Sequence, residues 1–183
     1  MEVFLLFLLY SFFGCVLEDA YNFLLHGEYV SKRTMLDLPL CPVYGGAAIV
    51  LSVVNVSQNP LILFLNGFFA VSAVELAYHL ISDRIYGIKW WDYSGKKFNI
   101  MGGICLFYSA LWGLLNIPFA RYVHPLCSAW LAGMPTGEKI TVAVFAGVYF
   151  FADFRKTHSE LLRHKNGEKT VVFDKFKYLK RNN

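Results

Sequence analysis

Charged residues are scarce in this sequence. Only 16% of its 183 residues are Asp, Glu, Lys or Arg, whereas a soluble domain of this size carries about a quarter. The shortage is concentrated in long stretches that contain no Lys or Arg, and 56% of all residues are hydrophobic. Together with a mean hydropathy of +0.44, this pattern argues against a soluble domain and is typical of membrane-spanning segments.

Several catalytic and metal-binding motifs are also missing. No P-loop motif occurs, so the chain cannot itself hold ATP in the P-loop manner, and no serine-hydrolase or zinc-protease motif occurs. The four cysteines are scattered without the spacing of a zinc site: Cys15, Cys41, Cys105 and Cys127. We therefore expect no metal, no cofactor and no catalytic residue, and we favour a non-enzymatic function.

Five apolar stretches predict an all-α integral membrane protein with five transmembrane helices. They cover about residues 2–25, 43–57, 61–82, 99–118 and 138–154. Four are long enough to cross a hydrocarbon core of about 30 Å as a helix, whereas the second is short and leaves a re-entrant hairpin as an alternative. The first stretch has no basic start and no small-residue cleavage site, so we expect a span rather than a cleaved leader. Residues 1–156 then form a transmembrane domain, and residues 157–183 form a basic cytoplasmic tail.

The basic residues predict the orientation of these spans. Two lie between the first and second stretches (Lys32 and Arg33), four between the third and fourth, and nine after the fifth. Five crossings put fifteen of the seventeen on one face, which the positive-inside rule assigns to the cytoplasm, with the amino terminus outside. A re-entrant second segment would separate the two basic loops, so five crossings are favoured. The net charge of +4 then needs no nucleic-acid partner. The tail either meets anionic lipid headgroups or is a solvated segment that only fixes the orientation.

The sequence also matches itself at an offset of 57 residues. Residues 4–52 aligned without gaps on residues 61–109 give 49 pairs, of which 12 are identical, including Glu18 with Glu75 and Gly45 with Gly102. Chance gives about one match in twelve for so skewed a composition. We interpret the match as two parallel pseudo-repeated helical hairpins plus one extra helix. In each repeat a helix runs inward, a basic loop follows, and a second helix runs outward through a Gly-Gly pair.

Two sets of polar residues lie inside the predicted spans at matching depth. They are Glu18, Tyr21 and Asn22 in the first span and Glu75, Tyr78 and His79 in the third. The spacing i, i+3, i+4 puts each set on one face of its helix, and charged groups in a membrane usually face a bundle interior or a water-filled cavity. One interpretation is a paired-carboxylate site, open to the cytoplasm, that binds a cation, a proton or a basic substrate. The other is that each glutamate bonds its own tyrosine or a loop lysine and holds the bundle together.

Two loop segments are predicted to form the cytoplasmic mouth of this site. In the first, Pro39 and Pro42 prevent a helix and predict a rigid elbow before the second span. In the second, tryptophan and tyrosine beside Lys89 are typical of a membrane interface, while its polar residues can cap turns or face a polar entrance. We favour a structural loop over a catalytic one. The candidate mouth residues are Pro42, Tyr44, Gly45, Trp91, Asp92, Tyr93, Ser94, Asn99 and Gly102.

These segments resemble a known family. The residues that carry the resemblance are Glu18 with Tyr21, the elbow from Pro39 to Gly45, Glu75, and the segment from Trp90 to Leu106 followed by Trp112 and Gly113. Together they are similar to the bacterial ABC-transporter permeases of type IV, also called CmpB-like, over about residues 8–115. The sequence departs from the family pattern at Leu38, where glycine is usual, and at Gly103, where arginine is more usual. The resemblance implies a transport subunit of the bacterial plasma membrane that works with a separate ATPase.

Three functions are open at this point. The favoured one is a permease-like subunit with a cytoplasm-facing polar site around Glu18 and Glu75, partnered by membrane lipid and by an ATPase or another membrane protein. A lipid-modifying enzyme at the cytoplasmic interface would use Glu75 or Asp92 with His79 as acid and base. A non-catalytic scaffold or regulatory partner would use the same polar residues as packing contacts. A homo-oligomer is compatible with each of them.

Overall fold

Five helices and one short β-hairpin make up the part of the chain that the computed structural model describes, which is residues 1–26 and 36–168. Helix α1 is Glu2–His26, and α2 is Pro42–Val54. Helix α3 is Pro60–Tyr86 and contains one π-helical turn, Gly67–Val71. Lys32 and Arg33 of the first basic loop, the side chain of Asn22, and residues 169–183 of the predicted tail lie outside the described residues.

The second half of the chain begins with the hairpin. Strand β1, Asn99–Ile100, pairs antiparallel with β2, Ile104–Cys105. Helix α4 covers residues 106–133 as Leu106–Pro118, a π-helical turn Phe119–Val123, and His124–Gly133. Helix α5 is Thr136–Lys165.

Prolines set several of these boundaries. Pro42 and Pro60 each occupy a first helical position, where the missing N–H costs nothing and the fixed φ favours the helix. Asn59 caps α3 by accepting a hydrogen bond from the amide of Leu61 at 2.9 Å. Inside α4, Pro118 cannot donate to the preceding turn, and the π-helical turn follows it directly.

Two of the described helices are long and apolar enough to cross a membrane, namely Glu2–Tyr21 of α1 and the whole of α3. Helix α2 is apolar but shorter. The predicted all-α fold is therefore confirmed as an all-helical chain with two candidate membrane-spanning helices.

The predicted start of the fourth span, at residue 99, was wrong. Residues 99–105 form the hairpin, and the helix begins only at Leu106. Phe98, Met101 and Gly102 have φ values of 54°, 55° and 71°, and a right-handed helix cannot contain this left-handed backbone. Other bounds differ as well: α2 ends at Val54, α4 continues past residue 118 to Gly133, and α5 continues through the expected tail boundary to Lys165.

Helices α3 and α4 cross at a pair of glycines. A Cβ atom on Gly113 would lie 2.7 Å from the Phe64 ring and 2.8 Å from the Phe64 carbonyl oxygen, and a Cβ on Gly67 would lie 3.0 Å from the Gly113 Cα. Small residues at a crossing let two backbones approach closely. Close to this crossing, the Ser72 hydroxyl donates to the Ser109 hydroxyl at 2.6 Å in a buried contact.

Helices α1 and α2 form the other antiparallel pair. The amide of Cys41 donates to the carbonyl oxygen of Ser11 at 3.0 Å, so α2 begins beside the middle of α1. Further along, Ala48 packs in a core cluster with Leu5, Leu6 and Tyr10. The α1 segment beyond Ser11 runs another fifteen residues, about 22 Å, so the elbow before α2 lies well inside the length of α1.

Helix α5 joins the two pairs. Near its start, Lys139 Nζ lies 2.6 Å from Glu2 Oε1, and Phe150 meets the rings of Phe4 and Phe7 edge-on. Near its end, the Tyr86 hydroxyl and His158 Nδ1 are 2.7 Å apart, which ties α5 to the last turn of α3.

The glycine crossing makes a prediction about stability. Gly113→Ala should lower the free energy of unfolding by about 1–3 kcal/mol, because the new methyl group overlaps the ring and backbone of Phe64. Thermal unfolding of the purified protein in mild detergent measures the loss. Gly133→Ala is the matched control on the same helix, because its Cβ would face open space. Equal melting temperatures for the two variants would contradict the close crossing.

Candidate functional site

A cavity of about 760 Å³ lies among α1, α2, α3, α4 and the loop before the hairpin. It brings part of the predicted carboxylate site and part of the predicted mouth together in one space. The predicted residues that line it are Glu18, Tyr21, Pro42, Tyr44, Glu75, Tyr78, Trp91 and Tyr93. Other predicted residues lie outside its lining, namely Gly45, His79, Asp92, Ser94, Asn99 and Gly102.

Glu18 lies beside the elbow that precedes α2. Its Oε2 atom accepts a hydrogen bond from the Cys41 thiol, with an Sγ–Oε2 distance of 3.3 Å. Because the Cys41 amide is bonded to Ser11, the elbow holds this thiol against the carboxylate of α1. One turn further along α1, the Tyr21 hydroxyl lies 3.3 Å from the Tyr108 hydroxyl of α4.

Glu75 is the more deeply buried of the two carboxylates, with only 6% of its surface exposed. Its Oε2 atom is buried and has no hydrogen-bond partner among the described residues. The indole Nε1 of Trp112 is close to this carboxylate but outside hydrogen-bonding geometry, and it also has no partner there. A buried carboxylate oxygen without a partner is costly. Glu75, which lines the cavity, therefore has one oxygen that can still accept a hydrogen bond or pair with a positive charge.

His79 shares a helix face with Glu75 but has different surroundings. Its side chain is 1% exposed, its ring centroid lies 5.9 Å from that of Trp91, and a Cβ on Gly103 would touch it at 3.0 Å. The hairpin thus covers His79 and separates it from the cavity. Tyr78 does line the cavity and stacks on Trp91, with ring centroids 6.0 Å apart.

The polar residues of the second loop bond to the loop itself. The backbone amide and the hydroxyl of Ser94 donate to Asp92 Oδ1 at 2.9 and 2.5 Å. The side-chain Nδ2 of Asn99 donates to the carbonyl oxygens of Ser94 and Lys96. These Ser94 hydrogen bonds hold the pKa of the Asp92 carboxyl below its usual value. Gly102 closes the turn with a φ of 71° and accepts from the Tyr93 amide at 2.8 Å. The geometry favours a structural role for this loop.

The two glycines that the offset of 57 residues aligns occupy different local structures. Gly45 lies in the first turn of α2, against Phe7 and Ser11 of α1. Gly102 lies in the hairpin turn, against Asp92 and Ser94. The two glutamates, by contrast, line the same cavity from α1 and from α3.

Some residues at the site were missed by the sequence reasoning. Asn116 lines the cavity, is 1% exposed, and exchanges hydrogen bonds with the Asn55 amide at 2.8 and 3.0 Å. An asparagine within an apolar stretch is the signal that could have identified it. The roles of Cys41 and Tyr108 depend on contacts between distant segments, and no local pattern indicates them.

Two apolar helices that are long enough to cross a membrane indicate a helical membrane protein. The profile of the family described as "Putative ABC-transporter type IV" matches residues 5–158, and the chain belongs to this family. The predicted resemblance is confirmed over a longer region, which includes most of α5. No curated protein and no solved structure matches the chain. The family makes the chain a transport-associated membrane protein.

The loop network makes a prediction about local stability. Asp92→Asn should speed hydrogen exchange of the Ser94 amide by about fivefold, because a charge-assisted bond worth roughly 1 kcal/mol is weakened. Acid should have the same effect on the native loop as the pH falls through the lowered pKa of Asp92, since the ionised form is the one that accepts both bonds. Exchange mass spectrometry of residues 90–103 measures both effects.

The matched control is Asp83→Asn, which neutralises another exposed carboxylate at the end of α3. It should leave the exchange of the Ser94 amide unchanged. Unchanged exchange in Asp92→Asn as well would show that the Asp92–Ser94 bonds do not hold the loop.

Proposed function

We propose that the chain is a permease-like subunit whose substrate site is the cavity around Glu18 and Glu75. The observation that carries the proposal is the buried Glu75 carboxylate, which has an unpartnered oxygen in a cavity that also contains Glu18. Two carboxylates in an apolar bundle are retained at a cost in stability, and such groups commonly mark substrate or ion pathways.

The proposal includes five crossings, with the amino terminus outside and the carboxyl terminus in the cytoplasm. Exposed apolar side chains on α4 and α5 support it, because they suit contact with lipid: Leu114 and Leu126 on α4, and Phe145, Val148 and Tyr149 on α5. Helix α2 is short, but its elbow starts near Asp153 of α5, where the Leu38 amide donates to Oδ2 at 3.0 Å. Elbow and helix together would complete the second crossing.

The proposal also includes two pseudo-repeated hairpins. Support comes from the two antiparallel pairs, α1 with α2 and α3 with α4, and from the matched glutamates that face one cavity. In each pair the second helix begins inside the length of the first, beside Ser11 in one and beside the Leu76–His79 turn in the other. The elbow precedes the start of α2, and the hairpin precedes the start of α4.

The enzyme alternative receives less support from the geometry. A Glu75–His79 acid–base pair would need both groups at one reacting atom, whereas His79 is covered by the hairpin and lies outside the cavity lining. Asp92 is exposed and bonded to Ser94. We therefore keep the transport proposal and treat the scaffold as an outcome of its test.

Copurification tests the permease proposal. The full-length tagged chain, extracted from its native membrane in mild detergent, should bring with it an ATPase subunit identifiable by mass spectrometry. The Glu18→Gln and Glu75→Gln variants should recover the same companion, because both side chains lie in the bundle rather than on a cytoplasmic surface. In proteoliposomes, however, both variants should lower the ATP hydrolysis of the complex severalfold, because the coupled site has lost a charge.

Glu138→Gln is the control for these two variants, because Glu138 is an exposed carboxylate at the start of α5 and does not line the cavity. Recovery of a stable companion that is not an ATPase, with normal behaviour of both glutamate variants, would favour the scaffold. Recovery of no companion would contradict the permease proposal.

Cysteine labelling tests the proposed orientation. A membrane-impermeant maleimide should label Gln58→Cys and Gly137→Cys in intact cells, because both positions are exposed at the proposed outer face. Lys97→Cys and Asn166→Cys should react only after permeabilisation. The unaltered chain reports the background from its own cysteines. Reaction of Lys97→Cys in intact cells would reverse the orientation, and labelling of Gly137→Cys and Asn166→Cys on the same side would remove the fifth crossing.

A further inference from the structure

The cavity is a cleft between α1 and α4, with α2 and α3 behind it. Residues of these two helices meet at both ends, where Tyr21 lies against Tyr108 and where the rings of Tyr10 and Phe119 are 5.4 Å apart. Between these ends three apolar lining side chains are exposed: Phe13 and Leu17 by 49% and 50%, and Leu115 by 37%. No residue of α5 lines the cavity. In a bilayer, an opening lined by such apolar side chains faces the lipid.

The charge inside this cleft has one sign. Its described lining contains the carboxylates of Glu18 and Glu75 and no lysine, arginine or histidine. A ligand with a positive charge therefore complements the Glu75 oxygen that has no partner among the described residues, whereas an anion would be repelled by this carboxylate.

Aromatic side chains are frequent in the rest of the lining. Eleven of the lining residues are Phe, Tyr or Trp. Two contacts show how they are arranged: Tyr44 meets Trp112 edge-on at 5.6 Å, and Tyr93 stacks on Tyr108 at 4.7 Å. Aromatic faces attract cations, most strongly organic cations that have already lost much of their hydration. This surface suits an apolar body that carries a charge.

A small inorganic cation fits the donor set less well. Metal ions such as Ca²⁺ require about six to eight oxygen ligands, and Mg²⁺ requires an octahedron. Among residues 1–26 and 36–168, no group of three or more His, Cys, Asp or Glu side chains could hold a metal ion. One unpartnered carboxylate oxygen beside aromatic rings can instead pair with a single organic charge.

We propose that the cleft binds a lipophilic organic cation, a single ammonium-like or phosphonium-like charge on an apolar body, which enters sideways from the lipid. The Glu75 carboxylate pairs with the charge, Glu18 adds a second negative charge, and the aromatic side chains enclose the apolar body. This inference rests on the proposed substrate site and names the class of ligand that the site takes.

Binding of tetraphenylphosphonium to the purified full-length chain tests the inference. Equilibrium dialysis in a nonionic detergent, corrected with protein-free micelles, should show saturable binding. Tetraphenylborate has nearly the same shape and the opposite charge, and in a separate run it should bind at least tenfold more weakly. Glu75→Gln should weaken tetraphenylphosphonium binding at least tenfold, and Glu138→Gln should leave it unchanged.

A second measurement protects the test against a variant that fails to fold. Dicyclohexylcarbodiimide, an apolar reagent for carboxyl groups in membranes, should modify Glu75 of the unaltered chain. Tetraphenylphosphonium should slow this modification in proportion to its occupancy, as followed by peptide mass spectrometry, and tetraphenylborate should not. Equal binding of the two ions, or modification of Glu75 that tetraphenylphosphonium does not slow, would overturn the inference.

These outcomes separate the inference from the function that it extends. Dialysis uses the isolated chain, so the absence of an ATPase in the copurification leaves the binding result intact and removes only the permease role. An ATPase that copurifies with a chain that does not distinguish the two ions would keep the permease role and reject the organic cation.

Discussion

The burial of the Glu75 carboxylate is the constraint on which the arrangement of the bundle depends. An ionisable side chain that is 6% exposed, with one oxygen unpartnered among the described residues, is expensive in an apolar interior. Among residues 1–26 and 36–168, the bundle does not remove this cost by packing a basic side chain against the carboxylate, since no lysine, arginine or histidine of this part lines the cavity. Instead, four helices leave a space of about 760 Å³ beside the carboxylate. The unpartnered Glu75 oxygen lowers the stability of the bundle, and under our proposal a ligand of opposite charge would offset this cost.

The cavity exists because α2 and α4 each begin part of the way along the helix that they pack against. Helix α2 begins beside Ser11, and α4 begins after a hairpin that lies against His79, so neither runs alongside the full length of its partner. Prolines delay the first start, and left-handed backbone at Phe98, Met101 and Gly102 delays the second. The elbow and the loop before the hairpin then present Cys41 and Trp91 to the same space that Glu18 and Glu75 line. Breaks in regular structure are tolerated at membrane depth where they are buried or line a cavity.

Helix α5 stabilises this arrangement without contributing to the cavity. It contacts α1 near its start, through Lys139 and Phe150, and α3 near its end, through His158 and the fully buried Leu161. An exposed ion pair such as Lys156–Asp37 adds little by itself, so the apolar and aromatic contacts carry most of this attachment. The family match extends through α5 to residue 158, which fits a helix that belongs to the fold rather than to a tail.

The sequence by itself determined the helical class, the family, the two polar faces and the elbow, because each depends on composition or on a spacing of a few residues. It also predicted Glu18 and Glu75 as a pair, through the self-match at an offset of 57 residues, and both line the cavity. Only the tertiary structure decided that His79 is covered while Tyr78 faces the cavity, and that Cys41 donates to Glu18. The helix was wrongly extended to Asn99 because the hydropathy of residues 99–105 resembles a span, whereas three left-handed φ values fold them as a hairpin. Helical periodicity indicates which residues share a face, but the partner that each residue meets is set by where the neighbouring helices begin.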